Sequence, residues 1–161
     1  MFIVKGEDMK KFHAMVCLLF VAGGLFAQTG MFAGLGVETN ANTREGAALG
    51  GGLSFAVDLN RQFSLGLKAA ISANLDTIMT LEPAALVRYY IPFKLSGFFA
   101  QAELGAAIFF EDGESYPAFL GGLALGWRFN AGKNWYLEPS VRGGYPFVWG
   151  IGLQAGLRFD L

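Results

Sequence analysis

The sequence predicts an all-β protein: an eight-stranded antiparallel up-and-down transmembrane β-barrel preceded by a signal-peptide helix. Three observations carry that expectation. Hydrophobic residues make up 53% of the 161 residues and charged residues only 16%, against about 25% charge in ordinary soluble domains. Apart from one N-terminal run, no apolar stretch approaches the roughly 18 residues that a membrane helix needs. From Gly30 onward, apolar residues recur at every second position, the period of a strand with two unlike faces.

Residues 1–27 read as a signal peptide, and 28–161 as one outer-membrane barrel domain. Met9-Lys10-Lys11 supplies a basic start, 14–26 an apolar run too short for a comfortable span, and Ala27 a small residue before Gln28. Cleavage is expected near Ala27, with Met9 a candidate true start; an uncleaved anchor is the alternative. Cleavage removes the only His (His13) and the only Cys (Cys17). Residues 28–161 therefore offer no Cys/His zinc site, Ser-His triad, thiol nucleophile or disulfide.

The strands follow in order, separated by turn-forming residues. The first two, near 31–39 and 47–58, flank the polar run 40–46. The third, 62–74, sets Phe63, Leu65, Leu67, Ala69, Ile71 and Ala73 against Ser64, Gly66, Lys68, Ala70, Ser72 and Asn74. After 75–78 comes the fourth, 79–91, ending in Arg88-Tyr89-Tyr90. After 92–96 comes the fifth, 97–110, where the face carrying Phe98, Leu104 and Phe110 opposes one carrying Phe99, Gln101, Glu103, Gly105, Ala107 and Phe109. Residues 111–116 read as a connection to the sixth strand, 117–130, and 131–134 leads to the seventh, 135–144. A Tyr145-Pro146-Phe147 corner precedes the eighth, 148–161, in which Trp149, Ile151, Leu153 and Ala155 alternate with Gly150, Gly152, Gln154 and Gly156. Pro83 and Pro139 lack an N–H, so local bulges are expected there. Most segments exceed the five or six residues typical of soluble strands and suit a tilted bilayer crossing.

The sense of the alternation separates a membrane barrel from a soluble ligand carrier. One face of most strands is purely apolar, while the other carries small residues and isolated charges. Eight strands leave an interior just wide enough for side chains, so the small and polar set belongs inside. The apolar set then faces lipid, because in water it would form a belt far larger than soluble monomers expose. An even strand count puts both termini on the periplasmic side. Phe63, Tyr89, Tyr90, Phe93, Phe98, Phe99, Trp127, Phe129, Trp135, Tyr136 and Phe159 then fall near the periplasmic ends. Phe109, Phe110, Tyr116, Phe119, Tyr145, Phe147 and Trp149 fall near the outer ends. Two such girdles are what the headgroup levels select.

The inward face holds the candidate site residues. Its acids are Glu38, Asp58, Glu82, Glu103 and Glu138; its bases are Lys68, Arg88, Arg128, Arg142 and Arg158; Gln101 and Gln154 lie beside them. Register estimates set Arg88 opposite or diagonal to Gln101 and Glu103, and Arg128 diagonal to Glu138, within cross-strand reach. Charges in so narrow a lumen are tolerable only when paired, so a network filling the interior is expected. A narrow ion path through breakable pairs is the alternative. Gly50-Gly51-Gly52 and Gly150-Ile151-Gly152 sit inside strands and open no helix, so they lack the context of a phosphate-binding loop. No catalytic, metal or cofactor site is expected. Near-neutral charge without a basic cluster argues against a nucleic-acid partner.

The leader, the eight amphipathic strands, the Arg88-Tyr89-Tyr90 strand end and the C-terminal run from Gln154 to Leu161 together resemble the small eight-stranded outer-membrane β-barrel superfamily of the OmpA, OmpX and opacity-protein type. The resemblance spans residues 28–161. It implies an integral outer-membrane protein of a double-membrane bacterium, with membrane lipid around it. It also implies insertion by the barrel-assembly machinery, which reads the C-terminal strand, here through Gln154, Gly156, Phe159 and Leu161. Leu161 stands where that family's pattern has an aromatic residue. The implied role is non-enzymatic, in envelope structure and surface interaction with a host or envelope partner. A narrow pore, or an OmpW-like channel for small hydrophobic solutes, is the alternative. A membrane enzyme ranks third, since the barrel enzymes of comparison use a His that 28–161 lacks. Short outer connections disfavour a large receptor or a loop-based adhesin.

Overall fold

In the computed structural model of the protein the described residues are 30–42, 46–74, 78–91 and 97–160, so the expected leader, Phe93 and Leu161 lie outside them. The strands are β1 (Gly30–Asn42), β2 (Gly46–Asp58), β3 (Phe63–Ala73), β4 (Met79–Ile91), β5 (Gly97–Glu111), β6 (Glu114–Ala131), β7 (Trp135–Tyr145) and β8 (Phe147–Phe159). Each pairs antiparallel with the next, and β8 returns to β1 from Met31↔Phe159 to Asn42↔Phe147, closing the barrel.

Burial follows the alternation in sequence. Along β4 exposed and buried residues alternate strictly from Met79 to Arg88. The outward set is aliphatic at mid-height, with Leu35 65%, Leu104 61% and Leu123 68% exposed. This apolar wall is stable only against lipid, and the barrel is transmembrane. Trp127, Phe129, Trp135, Phe159 and Phe63 are exposed at the end that carries both termini of the barrel, here the terminal end. Phe110, Phe119, Tyr145 and Trp149 are exposed toward the other, distal end. Tyr90, Phe99, Tyr136, Phe109 and Phe147, counted above toward the girdles, instead point inward and are buried. Position along a strand sets a ring's height, but parity sets its side, and Tyr90, Phe99 and Tyr136 lie two residues from Arg88, Gln101 and Glu138 on the same face.

Two local expectations change. Residues 111–116 form no long connection: Glu111 pairs with Glu114 across a two-residue turn, with Asp112 at φ 50° and Gly113 at φ 82°. Positive φ at both central residues matches the strand twist, and Asp-Gly is the pair that tolerates it. Pro83 and Pro139 produce gaps and no bulges. The β4–β5 ladder stops at Leu81↔Ile108 and resumes at Ala84↔Gly105, and β6–β7 stops at Gly126↔Ser140 and resumes at Phe129↔Leu137, both without a shift in register. Each proline withholds one donor from its neighbour, yet its other neighbouring strand still holds the frame.

Candidate functional site

The lumen is the candidate site, and all twelve residues named above face it. A single chain of polar contacts crosses it. Near the terminal end Glu138 of β7 accepts from Arg128 Nε of β6 and from Arg88 Nη1 of β4, the latter at 2.7 and 3.0 Å. Arg88 Nε donates to Gln101 Oε1 at 2.9 Å, and Gln101 Nε2 to Glu103 Oε1 at 2.7 Å. That oxygen stands 3.9 Å from Lys68 Nζ, which donates to Glu38 Oε2 at 2.8 Å. Glu38 Oε1 accepts from Arg142 Nη1 at 3.0 Å, and Arg142 Nη2 donates to Glu82 Oε2 at 2.7 Å. Arg88 faces Gln101 in register, but its carboxylate partner is Glu138 across the lumen, not Glu103.

Two smaller groups of contacts complete the set. Gln154 accepts from Ser54 Oγ at 3.0 Å and donates to Tyr136 OH at 2.9 Å. Asp58 accepts from Ser64 Oγ at 2.7 Å, with Arg158 Nε at 3.4 Å; Arg158 Nη2 also lies 3.3 Å from Asp160. Gly156 and Gly34 make room here: a Cβ on either would stand 2.3 or 2.4 Å from Tyr136 OH. Phe159, of the C-terminal run, points outward.

Rings and guanidinium groups alternate across the terminal end. Arg88 lies 4.1 Å from the Phe99 ring centroid and 5.0 Å from that of Phe32. Arg128 lies 4.2 Å from the same Phe32 ring and 4.3 Å from Tyr136. Tyr90 OH accepts from Arg88 Nη1 at 3.3 Å. Cations held against ring faces in a water-poor site are attracted by the ring quadrupole. Sequence reasoning named both arginines and set Phe99 on the face of Gln101 and Glu103, but it counted Tyr90 and Tyr136 only by height, although their shared parity with Arg88 and Glu138 was the available signal.

Toward the distal end the lumen turns apolar, with Ile78, Ala84, Ala107, Phe109, Leu120 and Phe147 in one buried cluster. Between these levels a cavity of about 60 Å³ is bordered by Glu38, Ser54, Lys68, Gln101, Glu103 and Arg142 among others. Chemically the arrangement holds its charges in fixed pairs. Among the described residues no group of three or more His, Cys, Asp or Glu is placed to hold a metal ion.

The chain matches no family model and no curated protein. Solved structures do match. OprG of Pseudomonas aeruginosa aligns over 84% of this chain and 99% of its own at 15% identity, with a TM-score of 0.61. The N-terminal β-barrel domain of OprF from the same organism covers 83% of this chain and 100% of its own at 14% identity, with a TM-score of 0.55. Ail, the attachment invasion locus protein of Yersinia pestis, solved with the heparin analogue sucrose octasulfate, covers 84% and 100% at 17% identity, with a TM-score of 0.50. Identities this low speak to fold alone. The chain is an eight-stranded antiparallel transmembrane barrel with the fold of the small outer-membrane barrels.

Proposed function

We propose that this protein is a non-enzymatic barrel of the bacterial outer membrane that serves envelope structure and surface interaction, with its lumen closed by its own side chains. The carrying observation is the unbroken chain from Arg128 through Glu138, Arg88, Gln101, Glu103, Lys68, Glu38 and Arg142 to Glu82. Groups bound to one another across a narrow interior brace its opposite walls and leave little free bore. The leader is cleaved near Ala27, the terminal end faces the periplasm, and the assembly machinery reads Gln154, Gly156, Phe159 and Leu161. Among the described residues the distal turn carries Glu111, Asp112 and Glu114. That chemistry disfavours a polyanion such as the one seen with Ail, and favours a neutral or basic surface partner.

A second reading, a narrow pore, rests on Lys68, which stands 2.8 Å from Glu38 and 3.9 Å from Glu103 and needs only a small swing to exchange them. Recording of the wild-type protein in planar bilayers tests both. Silence at moderate voltage is expected; steady, ion-selective current would overturn the closed-lumen reading and promote the pore.

A further inference from the structure

The polar chain spans most of the lumen, yet what shuts each end of it is chemically different. At the terminal end the Phe99, Phe32 and Tyr136 rings pack around the Arg88 and Arg128 guanidinium groups, with Phe32 and Tyr136 edge to face at 5.9 Å, and Phe32, Tyr136 and Arg128 are fully or almost fully buried. At the distal end Phe109, Leu120 and Phe147 pack with Ile78 over the bore, and Asn40, Ser72 and Thr80 beside them are equally buried. The space between measures about 60 Å³, and Glu38, Ser54, Lys68, Gln101, Glu103 and Arg142 border it together with apolar groups such as Leu86. A buried water needs roughly 10–15 Å³ and two or more polar partners, so this chamber has room and partners for several.

We infer that the lumen is a hydrated polar chamber closed by two independent seals in series, a ring–guanidinium floor and an apolar roof, and that these seals, not the ion pairs between them, are the barrier to ions. This rests on the closed-lumen reading above. Its physical basis is that fixed ion pairs leave water-accessible gaps around them, whereas closely packed rings and aliphatic groups expel water from the bore. The floor keeps its charges through Glu138 even when a ring is lost, and the roof can be thinned at Phe109 and Leu120 without removing a charged side chain.

Ser140 borders the chamber and gives a chemical probe of it. In the full-length Ser140→Cys protein in detergent, reaction with a small charged thiol reagent should be slow, with the wild-type chain (Cys17 only) giving the background. Thinning the roof (Phe109→Ala with Leu120→Ala) or the floor (Phe32→Ala) should each raise that rate by about tenfold or more, as one opening suffices to wet the chamber. Ion current in planar bilayers should stay absent in either single breach and appear only when both are combined. Neutralising the chamber charges (Glu38→Gln with Lys68→Gln) should leave the barrel silent.

Fast labelling of the unaltered barrel, current through one breach alone, no gain in labelling from either breach, or current from the charge-neutralised chamber would each overturn the two seals. Current in wild type would instead fail the closed-lumen reading itself. Boiled and unboiled gel mobility checks that each variant is folded, and Phe32→Leu and Phe109→Leu provide milder breaches, expected to shift labelling in the same direction, where an alanine variant does not fold.

Discussion

Glu138 and Arg88 are fifty residues apart in the chain, on strands that share no ladder, yet their side chains meet at 2.7 Å across the lumen. The same carboxylate also holds Arg128, so one acid secures two buried guanidinium groups.

Removing that acid should be severe. Glu138→Gln leaves two buried cations without a countercharge and is expected to cost about 3–5 kcal/mol. Asp160→Asn, at a side chain 79% exposed, should change stability by less than about 1 kcal/mol. Urea unfolding in lipid vesicles followed by tryptophan fluorescence measures both, and equal effects would show that Glu138 is not the anchor of the floor.

On the lipid side, Leu104 stands outward at mid-height of β5. Leu104→Arg should cost about 2–4 kcal/mol, the penalty for a cation at the bilayer midplane. Ala124→Ser, on the inner face beside the chamber, should be mild, because polar partners are at hand. A reversal of the two in the same unfolding assay would mean that the strands are inverted inside to outside.

Two glycines should respond differently to the same change. Gly113 has open space around it but sits at φ 82°, so Gly113→Ala pays only the left-handed backbone penalty of about 1–2 kcal/mol. At Gly156 a Cβ would meet both Tyr136 OH and Ala33 O at 2.3 Å. Gly156→Ala must displace the ring that stacks on Arg128 and should destabilise more than Gly113→Ala, as ranked by unfolding midpoints.

Heat should change how the protein migrates on a gel. In a closed barrel the strands satisfy each other's backbone groups all the way round, and detergent finds few places to start unravelling. Unboiled protein should therefore run apart from boiled protein, with β-type circular dichroism before boiling. Identical mobility with helical dichroism would contradict the fold.

Much of this architecture was written in local pattern. The eight segments, their alternation and the inward parity of Arg88, Gln101 and Glu103 are properties of neighbouring residues, and hairpin pairing carries them to adjacent strands, as Arg88↔Gln101 shows. The turn at Asp112-Gly113 was legible in principle, since that dipeptide favours positive φ; reading it as the start of a six-residue connection overlooked the signal. The inward aromatic residues were obscured for another reason. Banding along the sequence reports height in the membrane, and only parity separates a girdle ring from one that lines the bore.

By itself, then, the sequence determined strand period, strand count and which face meets lipid, because each depends on residues one or two positions apart. Which charge meets which was decided only in the tertiary structure. Arg88 exchanges its expected neighbour Glu103 for Glu138 because closing β8 onto β1 brings β4 and β7 face to face across a bore narrow enough for their side chains to touch. No local pattern encodes that distance. It follows from the number of strands, their stagger and the glycines that let Tyr136 and its neighbours fold into the middle.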